Sequence, residues 1–237
     1  MTKPVGNLRA WFKLVRLPNL FTLPGDIAVG FFLLNPRVEP AFFALLTISV
    51  LLYATGSITN DVSDLNEDRR LKPWRPLVRG DISRRAAATA AAVLITAAVV
   101  LAGIVGVGTF WMTILLLILI IAYNFLTRRF IFPGFVNMSL CRMMNILLGA
   151  SVMLGAVSWQ LIVFILIEGV YIFAISFLAH LESRYEKLSR TVTLMLNGII
   201  PLQALFLLVG GLPVHALAIL ALTPIPWILT RKGFYAT

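Results

Sequence analysis

Four of the chain's ten acidic residues, Asp61, Asp64, Glu67 and Asp68, crowd into the stretch Asn60-Asp61-Val62-Ser63-Asp64-Leu65-Asn66-Glu67-Asp68. Carboxylates this close repel one another and each disfavours ionisation of the next, a cost that a bound cation offsets. On a continuous helix Asn60, Asp64 and Asp68 stand at i, i+4 and i+8 and share one face, with Asp61 beside it. Such a row of hard oxygen donors suits Mg²⁺, which takes one or two carboxylates and fills its shell with water and phosphate oxygens. A second acidic pair, Glu182 and Glu186, repeats the i, i+4 spacing at the end of a later apolar run. Arginines surround both places, and guanidinium groups grip phosphate oxygens through charge-assisted hydrogen bonds. Two acidic helix ends ringed by arginines fit a pyrophosphate held through Mg²⁺.

The elements that must position these residues are membrane spans. The 237 residues are 59% hydrophobic and 13% charged, with mean hydropathy +0.93. A soluble domain is about 45–50% apolar and about 25% charged. Apolar runs of the length that crosses a bilayer fall at about 18–35, 41–60, 86–106, 109–126, 133–155, 160–181, 191–209 and 213–230, predicting a single all-α bundle of about eight transmembrane helices over residues 1–237. Residues 1–17 have the mixed basic and aromatic character of an interfacial lead-in rather than of a cleaved signal peptide. Pro73 and Pro76 break the loop after the second span, Gly80-Asp81 makes a turn, and Ser83 caps the third span. The net charge of +10 follows from the positive-inside bias. With both termini in the cytoplasm, the basic clusters at the N-terminus, at 61–85, at Arg128-Arg129, at 184–190 and at the tail all fall inside, and only Arg37 falls outside. No nucleic-acid motif is present, and nucleic acid is not an expected partner. Cys141 is the lone cysteine, which rules out an intrachain disulfide, and no Cys/His cluster suits zinc.

Ionisable residues within spans are functional candidates by default. Asn19 and Asp26 lie seven apart in the first span and so share a helix face, the alternative role being a hydrogen bond to a neighbouring helix. Arg142 sits inside the fifth span and needs a partner there. Glu168 lies fourteen residues before Glu182 on nearly the same face, as an acceptor contact or as a structural acid.

The motifs, in order, resemble the UbiA-type intramembrane prenyltransferases. Asn60-Asp61-x-x-Asp64-x-x-x-Asp68 matches the family's Asn-Asp-x-x-Asp-x-x-x-Asp signature. Arg16-Leu17-Pro18-Asn19 resembles its entry into the first helix. Arg75-Pro76 with Gly80-Asp81-Ile82-Ser83 resembles its Arg-Pro-…-Gly-x-Ile-Ser loop, and Tyr123 with Arg128-Arg129 its Tyr-x-x-x-Lys-Arg segment. Two features depart from the pattern. The second motif, usually Asp-x-x-x-Asp, is Glu182-x-x-x-Glu186 here, and the family usually has nine spans. The resemblance implies Mg²⁺-dependent transfer of a prenyl group from a prenyl pyrophosphate donor to a small-molecule acceptor, aromatic or quinone-precursor-like. In that scheme Asn60, Asp64 and Asp68, with Asp61 nearby, hold one Mg²⁺, and Glu182 and Glu186 serve a second. Arg16, Arg75, Arg128 and Arg142 face the pyrophosphate, Tyr123 orients the cluster, and Asn19 and Asp26 lean toward the acceptor. The alternative on the same scaffold is a terpene cyclase that ionises the donor without an acceptor. A transporter would show internal repeats or helices broken at mid-membrane, and no convincing repeat is visible. The expected setting is a prokaryotic inner membrane, with the lipid bilayer as partner and the site facing the cytoplasm.

Overall fold

The computed structural model describes residues 8–182 and 188–234, and among them every regular element is helical. In chain order the α-helices are α1 (Leu8–Leu14), α2 (Leu17–Leu20), α3 (Leu23–Phe32), α4 (Pro40–Ser63), α5 (Leu65–Leu71), α6 (Pro76–Arg79), α7 (Arg84–Val105), α8 (Val107–Phe125), α9 (Ile131–Ala150), α10 (Trp159–Glu182), α11 (Leu188–Val209), α12 (Pro213–Leu220) and α13 (Pro224–Arg231). Among the described residues seven segments are long and apolar enough to cross a membrane: α4, α7, α8, α9, α10, α11 and the pair α12–α13. The chain is a multi-pass membrane protein.

The first expected span differs from a plain helix. It is broken between α2 and α3, and α3 has only 10 residues, about 15 Å at 1.5 Å per residue. Pro24 has no N–H to carry the helix through Phe21 and Thr22. Asn19 and Asp26 therefore stand on separate helices and do not share a continuous face. The eighth span breaks likewise before Pro224 and Pro226. The described chain ends meet, with Arg9 Nη2 donating to the Lys232 carbonyl at 3.3 Å. The start of α1 and the end of α13 therefore lie together at one end of the bundle.

Lipid tails are as apolar as leucine, so packing and buried polar contacts hold membrane helices together. Ala87, Ala91, Ala98 and Ala102 form a small-residue stripe that lets α7 lie along α4. A Cβ on Gly149 of α9 would come within 2.6 Å of the Ile27 carbonyl, and one on Gly30 of α3 would strike the Ile146 carbonyl. This mutual approach sets α3 against α9. Ile27, Phe31, Leu45, Leu148, Ile200 and Leu207 fill the centre. Val93, Val100, Ile104, Trp111 and Ile118 remain exposed on α7 and α8, where a bilayer would cover them.

Candidate active site

The acidic stretch closes α4. Helix geometry lapses at Asp64 (φ −90°, ψ −1°), yet Asp64 N donates to Asn60 O at 3.0 Å and Asp68 N to Asp64 O at 2.8 Å. The backbone stays nearly helical while the side chains sort into two pairs. Asp61 and Asp68, seven residues apart, share Arg75, whose Nη1 lies 2.6 Å from Asp61 Oδ1 and 2.7 Å from Asp68 Oδ2. All three are buried. Asn60 and Asp64 form the other pair. Asn60 Nδ2 donates to Asp64 Oδ2 at 3.2 Å, Arg128 donates to Asn60 Oδ1 at 3.3 Å, and Arg128 also pairs with Asp64. The one face expected for Asn60, Asp64 and Asp68 is thus divided, with Asp68 siding with Asp61.

Local sequence explains how the arginines arrive. Arg75 precedes Pro76, which holds it extended (φ −65°, ψ 142°) at the start of α6. Gly80 ends α6 at φ 74°, a left-handed turn that suits glycine, and Ser83 then caps α7 by accepting from Ala86 N at 3.1 Å. Arg16 joins α1 to α2 at φ 52°, the only non-glycine with positive φ among the described residues, and donates to Asp61 Oδ1 at 3.4 Å. Such backbone strain persists where surrounding structure enforces it and clusters at functional sites. Arg128 lies in the short turn Thr127–Arg129 after α8. Buried Asn124 bonds α8 to α4 there, donating to Gly56 O (3.1 Å) and Thr59 Oγ1 (2.6 Å). Tyr123 is half-buried on α8 within electrostatic reach of Arg16.

Lys72 was not among the expected site residues. It sits in the loop within electrostatic reach of Asp61 and Asp68. Burial, then the charges of Arg75 and Arg16, hold its ammonium below the ordinary lysine value. The available signal was its place between the acidic motif and Arg75. Glu182 is the last residue of α10, and Glu186 lies outside the described residues.

Among the described residues no three carboxylate, histidine or cysteine side chains converge as a cation cage. The donor set still fits Mg²⁺, because that ion needs only one or two carboxylates and draws its remaining ligands from water and phosphate. Here two carbonyl- and carboxylate-bearing pairs sit at one helix end beside Arg16, Arg75 and Arg128.

Arg142 and Asp26 do not join this end. Arg142 lies eleven residues into α9, about 16 Å along its axis. Its Nε meets Asp26 Oδ2 at 2.9 Å and Glu168 Oε1 at 3.6 Å, and its Nη2 donates to Thr22 O at 3.2 Å. Asp26 also accepts from Asn145 Nδ2 (2.8 Å) and Gln203 Nε2 (2.5 Å), and Ser49 donates to Asn145 Oδ1 at 2.8 Å. This knot ties five helices in the bundle interior. Gln203 and Ser49 read in sequence only as polar interruptions of apolar runs. Asn19 stays on α2, its carbonyl accepting from the Thr22 hydroxyl at 2.7 Å.

The fold and site define a class: a polytopic helical membrane protein with paired carboxylates and arginines at one end of an apolar bundle. Residues 23–235 match the model of the UbiA prenyltransferase family, and the chain belongs to that family. It is similar to the digeranylgeranylglyceryl phosphate synthase of Methanoculleus marisnigri, 29% identical over 96 residues, which are 40% of this chain and 34% of that protein. The chain thus matches about a third of that relative's length. A solved structure described as giving structural and mechanistic insights into digeranylgeranylglyceryl phosphate synthase in membranes superposes with TM-score 0.65 at 16% identity, covering 95% of this chain and 88% of that one. A UbiA homolog from Archaeoglobus fulgidus bound to GPP and Mg²⁺ superposes with TM-score 0.58 at 16% identity, covering 94% and 87%. At such identity these structures bear on the fold.

Proposed function

We propose that this protein transfers a prenyl group from a prenyl pyrophosphate to an acceptor, with Mg²⁺, at the cytoplasmic end of the bundle in a prokaryotic inner membrane, both termini being cytoplasmic. The observation that carries this reading is the pairing of Asp61 and Asp68 with Arg75, and of Asn60 and Asp64 with Arg128, at one helix end. Each guanidinium already holds carboxylate oxygens in the geometry that phosphate oxygens take. A pyrophosphate entering with its cation permits an exchange of partners: arginines turn to phosphate, and carboxylates are left for the metal. No buried charge is stranded in the exchange, which keeps its cost low. Mg²⁺, when bound, supplies charge stabilisation for the leaving group.

The chain's own residues then do three things. Arg16, Arg75 and Arg128, with Lys72, take up the negative charge that grows on the pyrophosphate as the C–O bond breaks. The carboxylate pairs orient the donor's polar end, so that its prenyl tail is directed into the apolar bundle. The closely packed helix ends limit water, which would otherwise capture the allylic cation. The electron pair of the broken bond leaves with pyrophosphate, the acceptor's nucleophile bonds to the freed carbon, and the acceptor loses a proton. For the acceptor, the family resemblance points to an aromatic or quinone-precursor ring. A phosphate-bearing glyceryl lipid is the second reading, prompted by the names of the relatives and favoured by a basic recess beside Asp64.

The test is pyrophosphate release by detergent-purified protein, with prenyl pyrophosphates of increasing length, with and without Mg²⁺, and with aromatic and glyceryl phosphate acceptors. Asp64→Asn should lower release about 100-fold or more, the scale for losing one preorganised electrostatic contact. The mass of the product separates transfer, cyclisation and hydrolysis. No release with any donor would refute the proposal.

A further inference from the structure

The ends of α4 and α8, the starts of α5 and α7 and the Thr127–Arg129 turn line an open recess of about 240 Å³ beside the acidic motif. Its polar wall is Ser63, Asn66, Arg84, Asn124, Arg128 and Arg129, its apolar rim is Val62, Leu65 and Phe125, and no carboxylate lines it. Among the described residues neither Arg84 nor Arg129 has an ion-pair partner. Arg84 and Arg85 stand in the first turn of α7, where the helix dipole disfavours cations and favours an anion. A topological bias toward basic loops accounts for arginines on this side of the membrane, but not for three of them converging on one cavity. Below the rim, Ile121 and Ile118 continue the exposed apolar face of α8. A ligand that fills the recess and lies along that face has an anionic head and a hydrocarbon tail.

We propose that the recess binds the phosphate of an anionic lipid, and that occupancy draws Arg128 away from Asp64. Arg128 forms the wall between the two: it lines the recess and also pairs with Asp64 and Asn60. A phosphate gripped by Arg84, Arg128 and Arg129 competes with the Asp64 carboxylate for the same guanidinium. Once released, Asp64 is left for a divalent cation; this second half rests on the Mg²⁺ role proposed above. Two sources share the ligand chemistry, a bulk anionic phospholipid and a phosphate-bearing acceptor.

The experiment uses the full chain in neutral detergent and a short-chain phosphatidic acid as probe, with phosphatidylcholine of the same chain length for comparison. Binding is read by native mass spectrometry. Mn²⁺ affinity is read separately by electron paramagnetic resonance, with no prenyl donor present. Phosphatidic acid should bind in preference to phosphatidylcholine, and Arg84→Gln/Arg129→Gln should weaken it at least about tenfold, the scale for losing a charged hydrogen bond. Arg69→Gln/Arg70→Gln, which removes two arginines from the same loop region outside the recess, should leave binding within about twofold. Equal loss in the two double variants, or no preference for phosphatidic acid, overturns the site. Mn²⁺ should bind more tightly once the probe is bound, and no change overturns the coupling to Asp64. Adding donor and Mg²⁺, with a lysophosphatidic acid whose free glycerol hydroxyl can take the prenyl group and release its proton, then separates the sources. A prenyl mass gained by the phosphate-bearing amphiphile makes it the acceptor, while a changed release rate without that mass makes it an effector lipid, and both outcomes support the recess. Pyrophosphate release that persists while lipid binding fails rejects the recess and leaves the proposed reaction standing.

Discussion

Replacing Arg142 with methionine should leave Asp26 and Glu168, both without exposed surface, facing each other with no cation. The structure shows no other basic side chain within ion-pair distance of either among the described residues. Removing one partner of a buried pair costs about 3–5 kcal/mol, or roughly 6–20 °C in Tm at 2–4 °C per kcal/mol for a chain of this size. The two carboxylates should then differ. Asp26 holds Arg142 at 2.9 Å and accepts from Asn145 and Gln203. Glu168 reaches Arg142 only at 3.6 Å, and neither of its oxygens accepts a hydrogen bond. Glu168→Gln keeps the shape and removes one of two carboxylates that share a single guanidinium, so its loss should stay well below the about 3–5 kcal/mol of breaking the buried pair. Asp26→Ala strips three contacts at once and should approach the Arg142→Met loss. Intrinsic-fluorescence melting in one detergent, with all variants side by side, gives the order. A Glu168→Gln loss as large as that of Arg142→Met, or an Arg142→Met loss under 1 kcal/mol, would refute the assignment of Asp26 as the pair that matters.

Three further outcomes follow from the same geometry. Arg75→Gln strands Asp61 and Asp68, both buried; it should cost about 3–5 kcal/mol in a melt, and Mg²⁺ should restore part of the loss. Gly149→Leu should separate α3 from α9, since even a Cβ meets Ile27 backbone at 2.6 Å; the expected loss is about 1–3 kcal/mol or more, the cost of overpacking, again read by melting. Lys72 has a depressed folded value, so the unfolded chain binds more protons in the window below the ordinary lysine value of 10.5, and its contribution makes stability rise with pH there. A pyrophosphate favours the charged ammonium, so binding of a non-hydrolysable bisphosphonate should weaken as pH rises through that window. Lys72→Gln should flatten both slopes, and unchanged slopes would remove Lys72 from the site.

Part of the geometry at the acidic helix end is legible in the sequence because its determinants are local. Asn60 and Asp64 are one helical turn apart, and they remain paired in the structure. Ser83 caps α7 as its position before the alanine-rich run implies. Arg16, Arg75 and Arg128 all reach the acidic stretch. Arg142 and Asp26, read in the sequence as substrate-facing candidates, pair with one another away from the acidic helix end, a depth the sequence does not give because it depends on how far each helix slides against its neighbours. Lys72 carried too weak a signal among many loop arginines.

Composition and hydropathy runs determine by themselves that this chain is a helical membrane protein, because water and lipid sort side chains without regard to what they touch. The spacing of acids along α4 likewise determines which oxygens can act together within one or two turns. Only the tertiary structure decided that Asp68 joins Asp61 across a break at Asp64, that Arg75 folds back over both, and that five helices meet through hydrogen bonds and ion pairs around Asp26. Those pairings join residues from 7 to 177 positions apart. They exist because small residues such as Gly30, Gly149 and the α7 alanines let particular backbones approach, and a buried charge takes whichever partner that approach brings within reach.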